Sequence, residues 1–373
     1  MTPNRRNSAS ANAAPSRPRL RIWLTLLLLS LGLLPSDAEA ARGRPFIGRG
    51  TVLTDTGTLL RGPRVSLDRD VPAPTFTELQ DIKNRGGNAL HVYAEREGDP
   101  SDSGAGPTPG YKLAELTGLV NLTRTLDMYL VITVGNAPGS FDHDFAVDFW
   151  DLYAAEFGDE PHVIFELQNE PYARFCPIHQ SAPSPLAVLE MERDAYCKVR
   201  EHAPDSMVLL FSYAMFTLAS GVLQDIDDLQ PMVVDPVDGC GQSIDWSRTA
   251  IAFHGYHFPT LRGTMETVTG AGYGIVQTEF GPYCDLEIHC GTGECFGCDD
   301  PATCDVGALA VEHLELHEEL GISWFTFMRV DRYLDDASFR DPVDAADLLW
   351  LPDFGNWPAS SDPPIGATVS FFS

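Results

Sequence analysis

Two apolar runs, far apart in the chain, each end in a glutamate at a turn: Glu170 closes "VIFELQNEP" (163–171) and Glu279 falls at the end of "IVQTEFG" (275–281). Two carboxyl groups facing each other across one pocket can cleave a glycosidic bond with retention. One, protonated, donates to the leaving oxygen, and the other, ionised and about 5 to 5.5 Å away, attacks as nucleophile. Each charge disfavours the other, so the less solvated carboxyl keeps its proton while the better hydrogen-bonded one stays ionised. A single strand-terminal Glu is more simply read as the partner of a barrel Arg. The pair, with Asn169 beside Glu170, points to chemistry.

Neighbouring residues fit around such a pair. Glu166 shares the parity of Glu170 but lies about 13 Å deeper at strand rise, and is expected to be a buried partner for an Arg. In "IAFHGYHF" (251–258) period-two alternation puts His254 and Tyr256 on one face and His257 on the other. A His and a Tyr at one rim can orient the nucleophile and hydrogen-bond the transition state, although His254 alone reads equally well as a core histidine. Trp324, in "ISWFTFMRV" (322–330), is either core filler or a flat platform for a sugar ring, and the platform is preferred.

Side chains so far apart need a scaffold with many strand ends on one face. After a polar N-terminal stretch, β-branched runs alternate with amphipathic stretches, the rhythm of repeated βα units. The strands are read at 58–67, 88–95, 129–136, 163–171, 206–214, 251–258, 273–281 and 322–330, with helices between them such as "TFTELQDIKNRG", whose Phe76, Leu79 and Ile82 recur at helical spacing. The expected fold is α/β, a single-domain (β/α)8 TIM barrel, in which catalytic groups stand at the C-terminal strand ends. Gln168, Asn169 and Glu170 are then a polar rim facing a pocket.

Residues 1–40 stand apart from the 41–373 domain. Arg17, Arg19 and Arg21 precede "IWLTLLLLSLGLLP" and then "DAEA", with Ala38 and Ala40 at cleavage spacing. This reads as a signal peptide in preference to an uncleaved anchor, since the run is short for a span. Export is expected, to the extracellular space or the periplasm. The whole chain carries −28, and the leader would remove five Arg and two acidic residues, leaving it more acidic still. Such charge disfavours nucleic acid and anionic membrane as partners. All eight Cys follow the leader and read as disulfides; Cys284, Cys290, Cys295, Cys298 and Cys304 crowd into a loop after the seventh strand. A zinc site on "CFGC" is the less favoured alternative, because no second well-spaced pair accompanies it. Calcium in the acidic "DRYLDDASFRDPVDAADLLW" (331–350) is likewise less favoured than a solvated face, and "NLT" at Asn121 is a doubtful glycan acceptor.

"VIFELQNEP", "AFHGYH", "IVQTEFG" and "SWFTF" resemble, in order and spacing, the motifs of glycoside hydrolase family 5, the cellulase-like group of the (β/α)8 clan, over residues 48 to 350. The resemblance implies Glu170 as acid/base, Glu279 as nucleophile, Asn169 on the sugar 2-hydroxyl, His254 and Tyr256 as support and Trp324 as platform, without a cofactor. Two positions depart from the pattern. His91 in "NALH" stands where the family has an Arg that steadies the nucleophile, and Asn136 stands where a His is common, so both are candidate substrate-site residues of altered character. The expectation is an exported retaining hydrolase of a β-linked polysaccharide or glycoconjugate, monomeric, with an unusual substrate or pH optimum. The rivals are a catalytically weak carbohydrate-binding barrel and, less favoured, a metal-dependent barrel hydrolase, whose His and Asp clusters are missing.

Overall fold

The computed structural model describes residues 42–69, 72–84, 86–97, 108–136, 139–171, 184–214, 216, 218–255, 258–279 and 306–329. Its strands are β1 (Phe46–Gly48), β2 (Thr51–Leu53), β3 (Arg61–Ser66), β4 (Ala89–Glu95), β5 (Tyr129–Val134), β6 (Val163–Glu166), β7 (Met207–Tyr213), β8 (Thr249–His254), β9 (Gly274–Glu279) and β10 (Trp324–Arg329). Strands β3 to β10 pair in parallel with their chain neighbours, and β10 pairs with both β9 and β3, which closes an eight-stranded barrel. The helices between them are α1 (Phe76–Asn84), α2 (Leu113–Thr125), α3 (His143–Phe157), α4 (Pro185–His202), α5 (Ala219–Val234), α6 (Phe258–Gly270) and α7 (Val306–Leu320). The (β/α)8 expectation holds.

Local chemistry sets the boundaries. The Asp142 side chain caps α3 by accepting from the Phe145 N–H at 2.9 Å, and Ser184 caps α4 by accepting from Ala187 at 3.2 Å, with Pro185 in the first turn. Along α3, Phe145, Phe149, Tyr153 and Phe157 recur four apart with Trp150 beside them, and all are buried. The strands sort by period two. Ala89, Tyr129, Val131, Ile164, Leu209, Ala252, Val276 and Phe325 fill the barrel, while Leu90, Ile132, Phe165, Leu210, Phe253 and Ile275 face the helices.

Where a polar N-terminal stretch was expected, an antiparallel hairpin forms, β1 against β2. Its turn is Arg49–Gly50, both at positive φ. Thr51 pairs with Ile275 on β9, Val52 joins the barrel interior and Ile47 packs against it. The alternation of "FIGRGTVL" is what lets so short a ribbon cover apolar side chains at the N-terminal strand ends.

A disulfide joins Cys197 of α4 to Cys240 after α5. The leader, the Cys284–Cys304 loop with its "CFGC" and the acidic 331–350 stretch lie outside the described residues. Asn121 is helical, and its Oδ1 accepts from Arg124 at 2.7 Å. No helix among the described residues is long and apolar enough to cross a membrane.

At Gly62 the β3 backbone lies so close to β4 that an added Cβ would be driven into the Ala89 carbonyl oxygen. Gly62→Ala is therefore expected to destabilise by about 1–3 kcal/mol or more, because only strand separation makes room; chemical denaturation measures it.

Candidate active site

Above the apolar barrel layers the same inward parity continues with polar residues. His91 and Tyr93 follow Ala89, Glu166 follows Ile164, His254 follows Ala252 and Thr278 follows Val276. Glu166 is fully buried; Thr278 donates to its Oε1 at 2.7 Å, and His91 Nε2 hydrogen-bonds its Oε2. Burial pushes the Glu166 carboxyl up, but the charge and hydrogen bond of His91, helped by His254 and Thr278, outweigh it and hold the group below its ordinary value. Two expectations are corrected here. The partner of Glu166 is a histidine and a threonine hydroxyl, where an Arg was expected. His91, expected at the substrate site, is fully buried and hydrogen-bonds Glu166.

Glu279 is steadied by Tyr93, whose hydroxyl donates to Oε2. Burial and the adjacent Glu279 charge push the Tyr93 phenol well above its ordinary value, so it stays a donor. Arg64 on β3, in register with His91, lays its guanidinium 5.4 Å from the Tyr93 ring centre. Sequence reasoning passed over Tyr93. Its signal was its place two residues beyond His91 on one strand.

Glu170 is positioned by irregular backbone. Strand β6 ends at Glu166, and the chain beyond it is held by the Leu167 N–H to Leu209 at 3.1 Å and the Asn169 N–H to Val134 at 3.0 Å. Glu170 itself adopts φ 42°, a left-handed conformation that costs a non-glycine residue about 1–3 kcal/mol and persists only where the surroundings impose it. Here the Gly139 N–H bonds its carbonyl at 2.8 Å.

The side chains then converge. His254 Nδ1 bonds Glu170 Oε1 at 2.6 Å, lies 3.9 Å from Glu279 Oε2, and its Nε2 is 3.3 Å from Ser212 Oγ. An oxygen of Glu170, an oxygen of Glu279 and a His254 nitrogen lie within 4.8 Å of one another. The two carboxyls thus face one another across a single imidazole. Burial alone would lower the His254 pKa, but the Glu279 and Glu170 charges, the bond to Glu170 and the Glu166 charge raise it to about 9.

The remaining candidates divide. Asn169 Nδ2 donates to the Asn136 carbonyl at 2.9 Å, and Asn136 Oδ1 accepts from the Glu97 N–H at 2.9 Å. Asn169 Oδ1, Asn136 Nδ2 and Gln168 Oε1 are buried without a partner among the described residues. These are an acceptor, a donor and an acceptor at the rim. Tyr256 lies outside the described residues. Trp324 is not a platform. It opens β10 at the strand's N-terminal end, is 0% exposed, and donates to Glu318 of α7 at 2.9 Å. Glu318 also takes Arg61 at 2.6 Å, so Trp324 is a core residue with its one polar atom satisfied.

Two groups among the described residues have the spacing to hold a metal ion. Asp151, Glu201 and His202 are exposed, and the Lys198 ammonium sits 2.9 Å from Asp151. In the other, Glu170, His254 and Glu279, the His254 Nδ1 is already hydrogen-bonded to Glu170.

Residues 71–327 match the family model described as Cellulase (glycosyl hydrolase family 5). Among solved structures, a cellulase designated Cel5C_n is 18% identical, with 78% of this chain and 82% of that one covered and a TM-score of 0.55. A variant of the catalytic domain of Thermobifida fusca endoglucanase Cel5A, in complex with cellotetraose, is 17% identical, with 78% and 86% covered and a TM-score of 0.53. A Thermomonospora fusca β-mannanase in complex with mannotriose is 16% identical, with 77% and 84% covered and a TM-score of 0.51. At these identities the likeness is one of fold. No curated protein sequence matches the chain.

Because the His254 pKa is raised, its contribution to stability is fully present below about pH 6.5 and is lost as pH rises through about 9. The span corresponds to something on the order of 3 kcal/mol. His254→Asn should remove that part of the alkaline decline, measured as unfolding free energy between pH 6 and 10.

Proposed function

The chain belongs to glycosyl hydrolase family 5, and from that membership we propose that it is an exported retaining enzyme acting on a β-linked polysaccharide or glycoconjugate. The observation that carries the reading is the approach of two buried carboxyls, Glu170 and Glu279, to within 4.8 Å around one imidazole. Glu279 attacks the anomeric carbon as the glycosidic bond breaks, and Glu170 gives its proton to the departing oxygen. The resulting glycosyl ester is opened by water, which loses a proton to Glu170 as it attacks.

Each neighbour has a part in this. His254 occupies Glu170 Oε1, which leaves Oε2 to carry the transferred proton. Tyr93 fixes the Glu279 carboxylate by its Oε2, and the other oxygen is the attacking atom. The unpaired Asn169 Oδ1 and Asn136 Nδ2 suit a sugar hydroxyl that donates to one and accepts from the other. A β-glucan or β-mannan is the first substrate class to test, given what the structural neighbours bind. Export is supported by the Cys197–Cys240 crosslink, which persists in oxidising surroundings.

Reducing-sugar release should be screened over β-glucans, mannans, xylans and glycolipids. Glu279→Gln should abolish turnover without unfolding the barrel, and Glu170→Ala should lower it about 10²- to 10⁴-fold on unactivated substrates. Activity retained by Glu279→Gln sinks the assignment, and oligosaccharide binding with no release by the wild type marks a binding barrel instead. Tyr93→Phe, which deletes a hydrogen bond to a charged group, should lower kcat about 10- to 100-fold.

A further inference from the structure

The end of β7 breaks the alternation that its lower half obeys. Leu209 points into the barrel and Leu210 out toward the helices, so Phe211 ought to point in. It packs instead in the outer core, and Ser212 turns inward to His254. The β7–β8 register slips between Leu210 and Tyr213. Phe211 at φ 72° and Ser212 at φ 36° are consecutive left-handed residues, neither of them glycine. A bulge of this kind re-aims a side chain, and strain of about 1–3 kcal/mol per residue is kept only where something holds it.

The holder is Glu192 of α4. Its side chain is 0% exposed, and Oε1 accepts from the Phe211 N–H at 3.0 Å, at the residue where the ladder slips. Its other oxygen has no partner among the described residues. Burial pushes this carboxyl up to about 8.

We infer that Ser212 is a positioning residue for the acid/base, set by the Glu192-held bulge to accept from His254 Nε2 so that Nδ1 stays directed at Glu170. The role of Glu170 in this statement rests on the function proposed above; the Ser212–His254 coupling does not. With both ring nitrogens engaged, the imidazole is fixed in orientation and its charge is stabilised from the side away from the carboxyls. Without the serine oxygen, the Nε2–H would lose this acceptor in a dry site, and the proton would be held less firmly.

The test is the titration of His254 in the whole chain, followed by histidine-selective ¹⁵N NMR, with its signal identified among the ten histidines by its loss in His254→Asn. Ser212→Gly keeps the left-handed backbone without strain and removes only the hydroxymethyl group, and Ser212→Ala is the second variant should one fold poorly. Both should titrate about one pH unit or more below the wild type, the loss of a charge-assisted hydrogen bond. The alkaline limb of kcat/KM should move with it, and kcat should fall more than KM changes. Glu192→Leu should shift the titration in the same direction, while Glu192→Gln, which keeps an acceptor for the Phe211 N–H, should restore it. An unchanged His254 titration in both Ser212 variants overturns the inference. A wild type inactive on every glycan would overturn the function proposed above, while the titration would still decide the role of Ser212.

Discussion

Three carboxyl groups, Glu166, Glu170 and Glu279, share the nearly dry mouth of one barrel, and the surrounding side chains keep that charge tolerable. An isolated buried carboxylate is so costly that it takes up a proton instead. Each of the three therefore has a dedicated neighbour: His91 and Thr278 for Glu166, His254 for Glu170, and Tyr93 for Glu279. His254 also lies close to Glu279, so a single imidazolium is divided between the two carboxyls that do the chemistry. The family's second-strand Arg is absent, and a neutral phenol takes the contact with Glu279, backed by Arg64 against its ring. The site thus depends on hydrogen bonding and on a titratable cation where an Arg would have supplied permanent charge.

The scaffold supplies these partners mostly by repetition. Once the lower layers of a strand are committed to apolar packing, the next inward positions arrive at the mouth automatically. Repetition fails beside the carboxyls, as it does where the β8–β9 register shifts to set His254 opposite Glu279. The chain after β6 abandons strand geometry to bring Glu170 round at positive φ, and the end of β7 slips a residue to exchange Phe211 for Ser212. Backbone strain is concentrated where an ordinary ladder would aim the side chains at the wrong target.

Much of this was readable in the sequence. Strand runs, helical spacings and the two Glu-bearing turns depend on local patterns, and the barrel with its rim followed from them. What escaped was set by contacts between residues remote in the chain. Glu166 found a histidine because β4 and β6 meet in one layer, which no local pattern specifies. Trp324 was assigned to the rim by its motif, yet it lies at the opposite end of its strand and is held by Glu318 of a helix whose approach was not foreseen. Tyr93 and Ser212 illustrate opposite failures. Tyr93 obeyed parity and was overlooked, whereas Ser212 could not be found by parity at all, because the bulge inverts it.

The β1–β2 ribbon also confines the chemistry to one face of the barrel. With Val52 among the barrel's interior side chains and Ile47 against them, and with the Tyr129 hydroxyl tied to the Gly43 carbonyl and the Asp55 N–H at that end, the N-terminal end of the barrel is filled by packed and hydrogen-bonded groups. The layers beneath the carboxyls are thus a solid floor, and the groups that meet substrate can come only from the C-terminal strand ends and the segments that follow them.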